Sequence, residues 1–126
     1  MYKHEAVTSR IIKAFYEVYN ALGYGFLEKV YQNALVIEMR KMGMTVVAQA
    51  PIEVRYNGHL VGEYFADLVV DGKVIVEVKG ARALGDAHGA QLLNYLKATR
   101  YEVGLLLNFG PKPQIKRKAF DNTRKA

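Results

Sequence analysis

Two acidic residues and a lysine set inside apolar segments are the first features of this 126-residue chain that could do chemistry. In Val74-Ile75-Val76-Glu77-Val78-Lys79, strand alternation puts the three valines on one face and Ile75, Glu77 and Lys79 on the other. Just upstream, Phe65, Asp67 and Val69 alternate against Tyr64, Ala66, Leu68 and Val70. An unpaired carboxylate is costly to bury, so both acids need a physical reason. If Asp67 and Glu77 look the same way, they make an oxygen-rich site for a hard divalent cation, Mg²⁺ or Mn²⁺, held by two carboxylates, waters and a substrate phosphate. Lys79 would stand where it can orient an attacking water or stabilise charge growing on a phosphate. A cross-strand Glu–Lys surface pair is the plainer reading of the same residues.

Parity decides between them. A two-residue Asp71-Gly72 turn pairs Val70 with Lys73 and sends Glu77 to the face opposite Asp67. A three-residue loop over 71–73 sets the two acids directly across from one another, and one over 70–72 sets them diagonal on one face. A shared site therefore predicts a three-residue turn or a bulge.

The elements that must position these residues follow from periodicity. Val7, Ile11, Ala14, Phe15, Val18, Tyr19 and Leu22 line one face of a helix from about His4 to Leu22, ended by Gly23. Leu27, Val30, Tyr31, Ala34, Leu35 and Met42 line a second, with Gly43 beyond its end. Thr45 to Tyr56 reads as a strand in which Pro51 marks an edge or a bulge. Asn57-Gly58 is a type I′ hairpin signal, and strands over His59–Val70 and Lys73–Lys79 complete an antiparallel meander. Asp86 can cap a helix whose stripe is Ala90, Leu93, Leu96 and Lys97 or Leu92, Tyr95 and Thr99, and Glu102 to Phe109 reads as a strand buried on both faces, parallel to the one before the helix. The predicted fold is α/β, with a mixed sheet flanked by helices in the order α-α-β-β-β-α-β. It is one domain over residues 1–126, a core to residue 110 and a basic tail from 111 to 126.

Composition narrows the function classes. Cysteine is absent, which removes disulfides, thiolate zinc sites and cysteine nucleophiles. Ser9, the sole serine, lies in a helix without an elbow motif, and His4, His59 and His88 have no zinc-ligand spacing. Gly23-Tyr24-Gly25 follows a helix where a dinucleotide loop follows a strand. No apolar run is long enough to span a bilayer and the first residues carry charge, so the expectation is a cytoplasmic protein with no membrane partner. Of the net charge of +6, residues 111–126 contribute +5, from six basic residues including Lys112, Lys116, Arg117 and Lys118 against Asp121. Such a segment attracts phosphates, although it can also be a solubilising end. His88, near the expected cleft, is a candidate phosphate contact or proton donor.

Taken together, Asp67 and Glu77-Val78-Lys79 resemble the D…ExK signature of the PD-(D/E)XK nuclease superfamily, whose common core has this order of elements. Gly25-Phe26-Leu27-Glu28-Lys29-Val30-Tyr31 resembles the GxxExxY signature of a family of small bacterial proteins in that superfamily. Gln91-Leu92-Leu93-Asn94-Tyr95 resembles the QxxxY motif of its exonuclease branch. The resemblance implies a restriction-endonuclease-like core and a Mg²⁺- or Mn²⁺-dependent nuclease acting on nucleic acid, DNA in preference to RNA. It also implies that Asp67, Glu77, the Val78 carbonyl and Glu28 bind the metal and that Lys79 assists the attacking water. Gln91 and Tyr95, one helical turn apart, and Tyr31 would serve the metal shell or the substrate. Members of the exonuclease branch often carry a histidine where this chain has Glu28. Without the resemblance, Glu28 reads as a solvated helix residue near Gln32, and Tyr31 and Tyr95 as packing residues. The alternative function is a non-catalytic nucleic-acid-binding module on the same fold. A chain this small leaves little surface for sequence readout, which a homodimer or another partner would supply.

Overall fold

The computed structural model describes residues 3–125. Helix α1 (Glu5–Leu22) and helix α2 (Glu28–Lys41) form a hairpin, because each carries one apolar stripe. Ile11, Phe15, Leu35 and Met39 on those stripes are fully buried. Gly23, at φ 68°, ends α1 with its amide on the Tyr19 carbonyl.

Five strands follow: β1 (Val46–Tyr56), β2 (His59–Val70), β3 (Val74–Lys79), β4 (Val103–Phe109) and β5 (Pro113–Ala119), with helix α3 (Asp86–Ala98) between β3 and β4. They form one sheet in the order β1-β2-β3-β4-β5. Only β3 and β4 are parallel; the other neighbours are antiparallel. The α1–α2 hairpin covers one face, where Val74, Val76, Val78, Leu105 and Leu107 join its core. Helix α3 covers the other, where Val69, Ile75 and Leu106 meet Leu92, Tyr95 and Leu96. All seven residues of β4 are buried, as a strand covered on both faces must be.

Both hairpin turns obey their residue chemistry. Asn57 and Gly58 take φ 50° and 79° and pair Tyr56 with His59. Asp71 and Gly72 take φ 52° and 61°, the Lys73 amide closes on the Val70 carbonyl, and the ladder begins at Val70–Val74. Residues 71–73 are therefore the three-residue turn that a shared carboxylate site requires.

Three features depart from the sequence reading. The basic segment is not a free tail: residues 113–119 form β5, an edge strand paired with β4 along its whole length. Helix α3 is capped by Gly85, with Asp86 its first residue, and the His88 Nδ1 accepts the Gly85 amide at 3.0 Å. The alternation of β2 breaks at Asp67, since Leu68 and Val70 join the α1–α2 core whereas Ala66 packs with Val69 in the α3 core. Gln49 on β1 holds the register position opposite Asp67 and takes φ 54°, and this pair alone drops out of the ladder between Val46–Val70 and Val54–Gly62. The left-handed residue twists the hairpin and turns its outer half towards α3.

Candidate active site

The site lies at the C-terminal end of β3. Regular pairing of β2 with β3 stops at Leu68–Val76, and at the next position the two acidic side chains take over the role of the ladder. The Asp67 amide donates to Glu77 Oε2 at 2.6 Å, and the Val78 amide donates to Asp67 Oδ2 at 2.7 Å. Each carboxylate thus holds the backbone of the opposite strand. Asp67 and Glu77 face one another, as a three-residue turn demands.

Burial and mutual repulsion set their charge. Burial pushes the Glu77 carboxyl up to about 7, helped by the charge of Asp67, against the opposing pull of the Asp67 amide and Lys79. Burial likewise raises Asp67 from its ordinary value, while the Val78 amide and Lys79 oppose it. Lys79, partly exposed, points to the α3 side with its Nζ 3.5 Å from Gln91 Oε1. Two close carboxylates with a single lysine between them and Gln91 are short of positive charge, a donor set that suits a hard cation.

Glu28 reaches this end of the sheet from the opposite layer. It is the first residue of α2, and its Oε2 accepts the Gly80 amide at 3.0 Å, directly after Lys79. Its charge raises both Asp67 and Glu77. Among the described residues, no three carboxylate or imidazole groups converge closely enough to form a ready-made metal cluster. Glu28 stands beside the pair, tied to the backbone at the strand's end.

The chain as a whole matches a known family. A family model described as PD-(D/E)XK nuclease superfamily matches residues 5–118. The chain belongs to the PD-(D/E)XK nuclease superfamily. No curated protein matches it significantly. The crystal structure of SSO0001 is similar in fold, with a TM-score of 0.59 and 17% identity over 75% of this chain. That likeness spans 50% of the SSO0001 chain.

The remaining expected residues of this PD-(D/E)XK chain divide by burial. Tyr95 is 6% exposed, beside Tyr64, and its hydroxyl is shifted upward by burial and by the charge of Glu77. Tyr31 takes a packing position. It is fully buried, stacked on Phe109 with ring centres 4.1 Å apart, and its hydroxyl donates to the Gly23 carbonyl and accepts the Phe26 amide. It anchors the turn that presents Glu28. His88 is occupied at Nδ1 by the cap of α3. The cations of β5 are split by the sheet: Arg117 donates to the Lys3 carbonyl, whereas Lys116 and Lys118 lie alongside Gly89 of α3. Through the ladders, Lys116 is level with Leu106 and hence with Glu77. Lys112 is exposed in the turn between β4 and β5.

One functional element escapes the sequence reading. Buried Asn108, level with Lys79 on β4, accepts the Ala81 amide and donates to the Ala81 carbonyl, both at 2.9 Å, and also donates to Gln114 Oε1 at 3.1 Å. Gln114 Oε1 in turn accepts the Leu84 amide at 3.0 Å. The Ala81 carbonyl leaves no room for a Cβ at position 110, so Gly110 is required there. Together these residues clamp the loop that joins Lys79 to the helix of Gln91. The available signal is an amide side chain interrupting the Leu105-Leu106-Leu107 run.

Proposed function

We propose that the protein is a divalent-metal-dependent nuclease of the GxxExxY kind that hydrolyses phosphodiester bonds, with DNA preferred to RNA as substrate. The observation that carries this reading is the meeting of Asp67 and Glu77 across the ends of β2 and β3, with Lys79 on the same side. Asp67 and Glu77 would hold Mg²⁺ or Mn²⁺, with the Val78 carbonyl and Glu28 as further oxygens. When bound, the ion supplies Lewis acidity, neutralising charge on the phosphate and acidifying water. Lys79, held towards Gln91, orients the water or stabilises charge on the phosphate. Gln91 fixes the lysine on the substrate side, Tyr95 walls the site on the α3 side, and Lys112 and Lys116 add positive charge for the nucleic-acid backbone.

The test is cleavage of labelled single- and double-stranded DNA and RNA with Mn²⁺ or Mg²⁺ by the wild-type chain, Asp67→Asn and Lys79→Ala. Cutting by the wild type that is lost in both variants and in a chelator supports the enzyme. Binding without cutting under every metal condition supports a non-catalytic nucleic-acid-binding module.

A further inference from the structure

Pairing with β3 covers only Leu68–Val70 of β2, so the outer part of the β1–β2 hairpin projects past the sheet as an arm. The twist at Gln49 and Asp67 turns this arm over α3, with Ala50, Ile52 and Ala66 packed against it. Between arm and helix runs an open groove of about 1150 Å³. Arg55 and Tyr64 line it from the arm, and Gln91, Asn94, Tyr95 and Lys97 from α3. It is larger than a pocket for one small molecule.

We infer that this groove binds single-stranded nucleic acid and feeds it to the Asp67–Glu77 site, an assignment that rests on the nuclease reading for its destination but not for its occupant. Three observations carry it. First, the groove adjoins the site: Gln91 lines it, and its Oε1 lies 3.5 Å from Lys79 Nζ. Second, Tyr64 is 49% exposed yet has its ring 5.7 Å from that of the nearly buried Tyr95. A ring held by a neighbour offers its free surface to a base at little further entropic cost, and stacking of this kind tolerates any base. Third, the charged lining residues are Arg55 and Lys97 against Glu53, which pairs with Arg55 at 3.2 Å, so one net positive charge, Lys97 with its ammonium 5.4 Å from the centre of the Phe120 ring, and the Asn94 amide stand on the α3 wall for backbone and base edges. A rigid duplex presents no unstacked base to Tyr64, whereas a single strand does.

The experiment is fluorescence anisotropy with short labelled DNA and RNA single strands and a duplex of equal length, in Ca²⁺ or chelator so that the probe stays intact. The variants are Tyr64→Ala, Tyr64→Leu and Tyr64→Phe, each with its melting temperature. The wild type is expected to bind a single strand more tightly than the duplex. Tyr64→Ala and Tyr64→Leu should weaken single-strand binding by about 5- to 150-fold, with Tyr64→Phe close to wild type. Tyr64→Leu keeps apolar volume against Tyr95, so it decides the matter if the alanine variant unfolds. Equal or tighter duplex binding, or wild-type affinity in folded Tyr64→Leu, overturns the inference. The two readings fail separately: Tyr64-dependent binding by a chain that never cuts removes the enzyme and keeps the groove. Cutting without single-strand preference removes the groove and keeps the enzyme.

Discussion

At the residue scale, the distinctive property of the site is how reluctantly Glu77 ionises. Its carboxyl sits at about 7 in the folded chain against an ordinary 4.5, so between these values the folded state holds a proton that the unfolded chain releases. Metal-free protein therefore loses stability as pH rises through that window, by up to about 3 kcal/mol, since each tenfold change in proton affinity is worth about 1.4 kcal/mol. Glu77→Gln removes the charge while keeping an oxygen for the Asp67 amide. In chelator, this variant should melt above the wild type at pH 8 and with it at pH 5; a lower melting temperature at pH 8 would contradict the assigned cause. Millimolar Mn²⁺ should raise the melting temperature of the wild type at pH 8 and leave that of Glu77→Gln nearly unchanged. For Lys79→Ala the expected loss is about 10²- to 10³-fold in kcat, the range for removing one group that stabilises developing charge, with little change in folding because Lys79 is partly exposed.

At the scale of elements, the turn over 71–73 and the clamped loop over 80–85 each position chemistry they do not perform. Deleting Lys73 removes a turn residue and no strand residue, so Val70 stays opposite Val74 and Asp67 opposite Glu77 across a two-residue Asp71-Gly72 turn. Calorimetry of that deletion should then still show Mn²⁺ binding, while loss of the site in a folded deletion variant would show that the shape of the turn is needed as well as the register it sets. Asn108→Ala strands the Ala81 backbone groups and leaves Gln114 Oε1 with the Leu84 amide alone, so urea unfolding should register a loss of about 2–4 kcal/mol. What is legible in the sequence is what local chemistry dictates. Both hairpin turns, the glycine ends of the first two helices, the buried β4 and the pairing of Asp67 with Glu77 follow from residues a few positions apart. The rest depends on distant partners. β5 lacks apolar alternation apart from Ile115 and becomes a strand because β4 offers it an edge. Glutamine carries no left-handed preference that would announce Gln49, so the face switch at Asp67 stays hidden. Asn108 stands out by type, but its partner Ala81 is 27 residues away. Glu28 is reached by family resemblance alone, and its contact with Gly80 spans 52 residues.

At the scale of the whole molecule, no helix among the described residues is long and apolar enough to cross a membrane. The two margins of the sheet have opposite characters. On one, β1 carries Pro51, the left-handed Gln49 and a register shift between Val54 and Arg55. On the other, β5 begins with Pro113 and carries Lys116, Arg117 and Lys118 in succession. Prolines, irregular backbone and lysines are the means by which exposed strand edges refuse a neighbour. Replacing Lys116 and Lys118 by threonine should let copies associate as concentration rises, visible as a growing scattering mass, and a variant that stays monomeric would show that the cations have no such role. Charge that attracts polyanions is thus also a fence: a second copy of this chain, approaching margin to margin, meets a broken ribbon on one flank and like charge on the other, so two copies that do associate must meet somewhere other than along their strands.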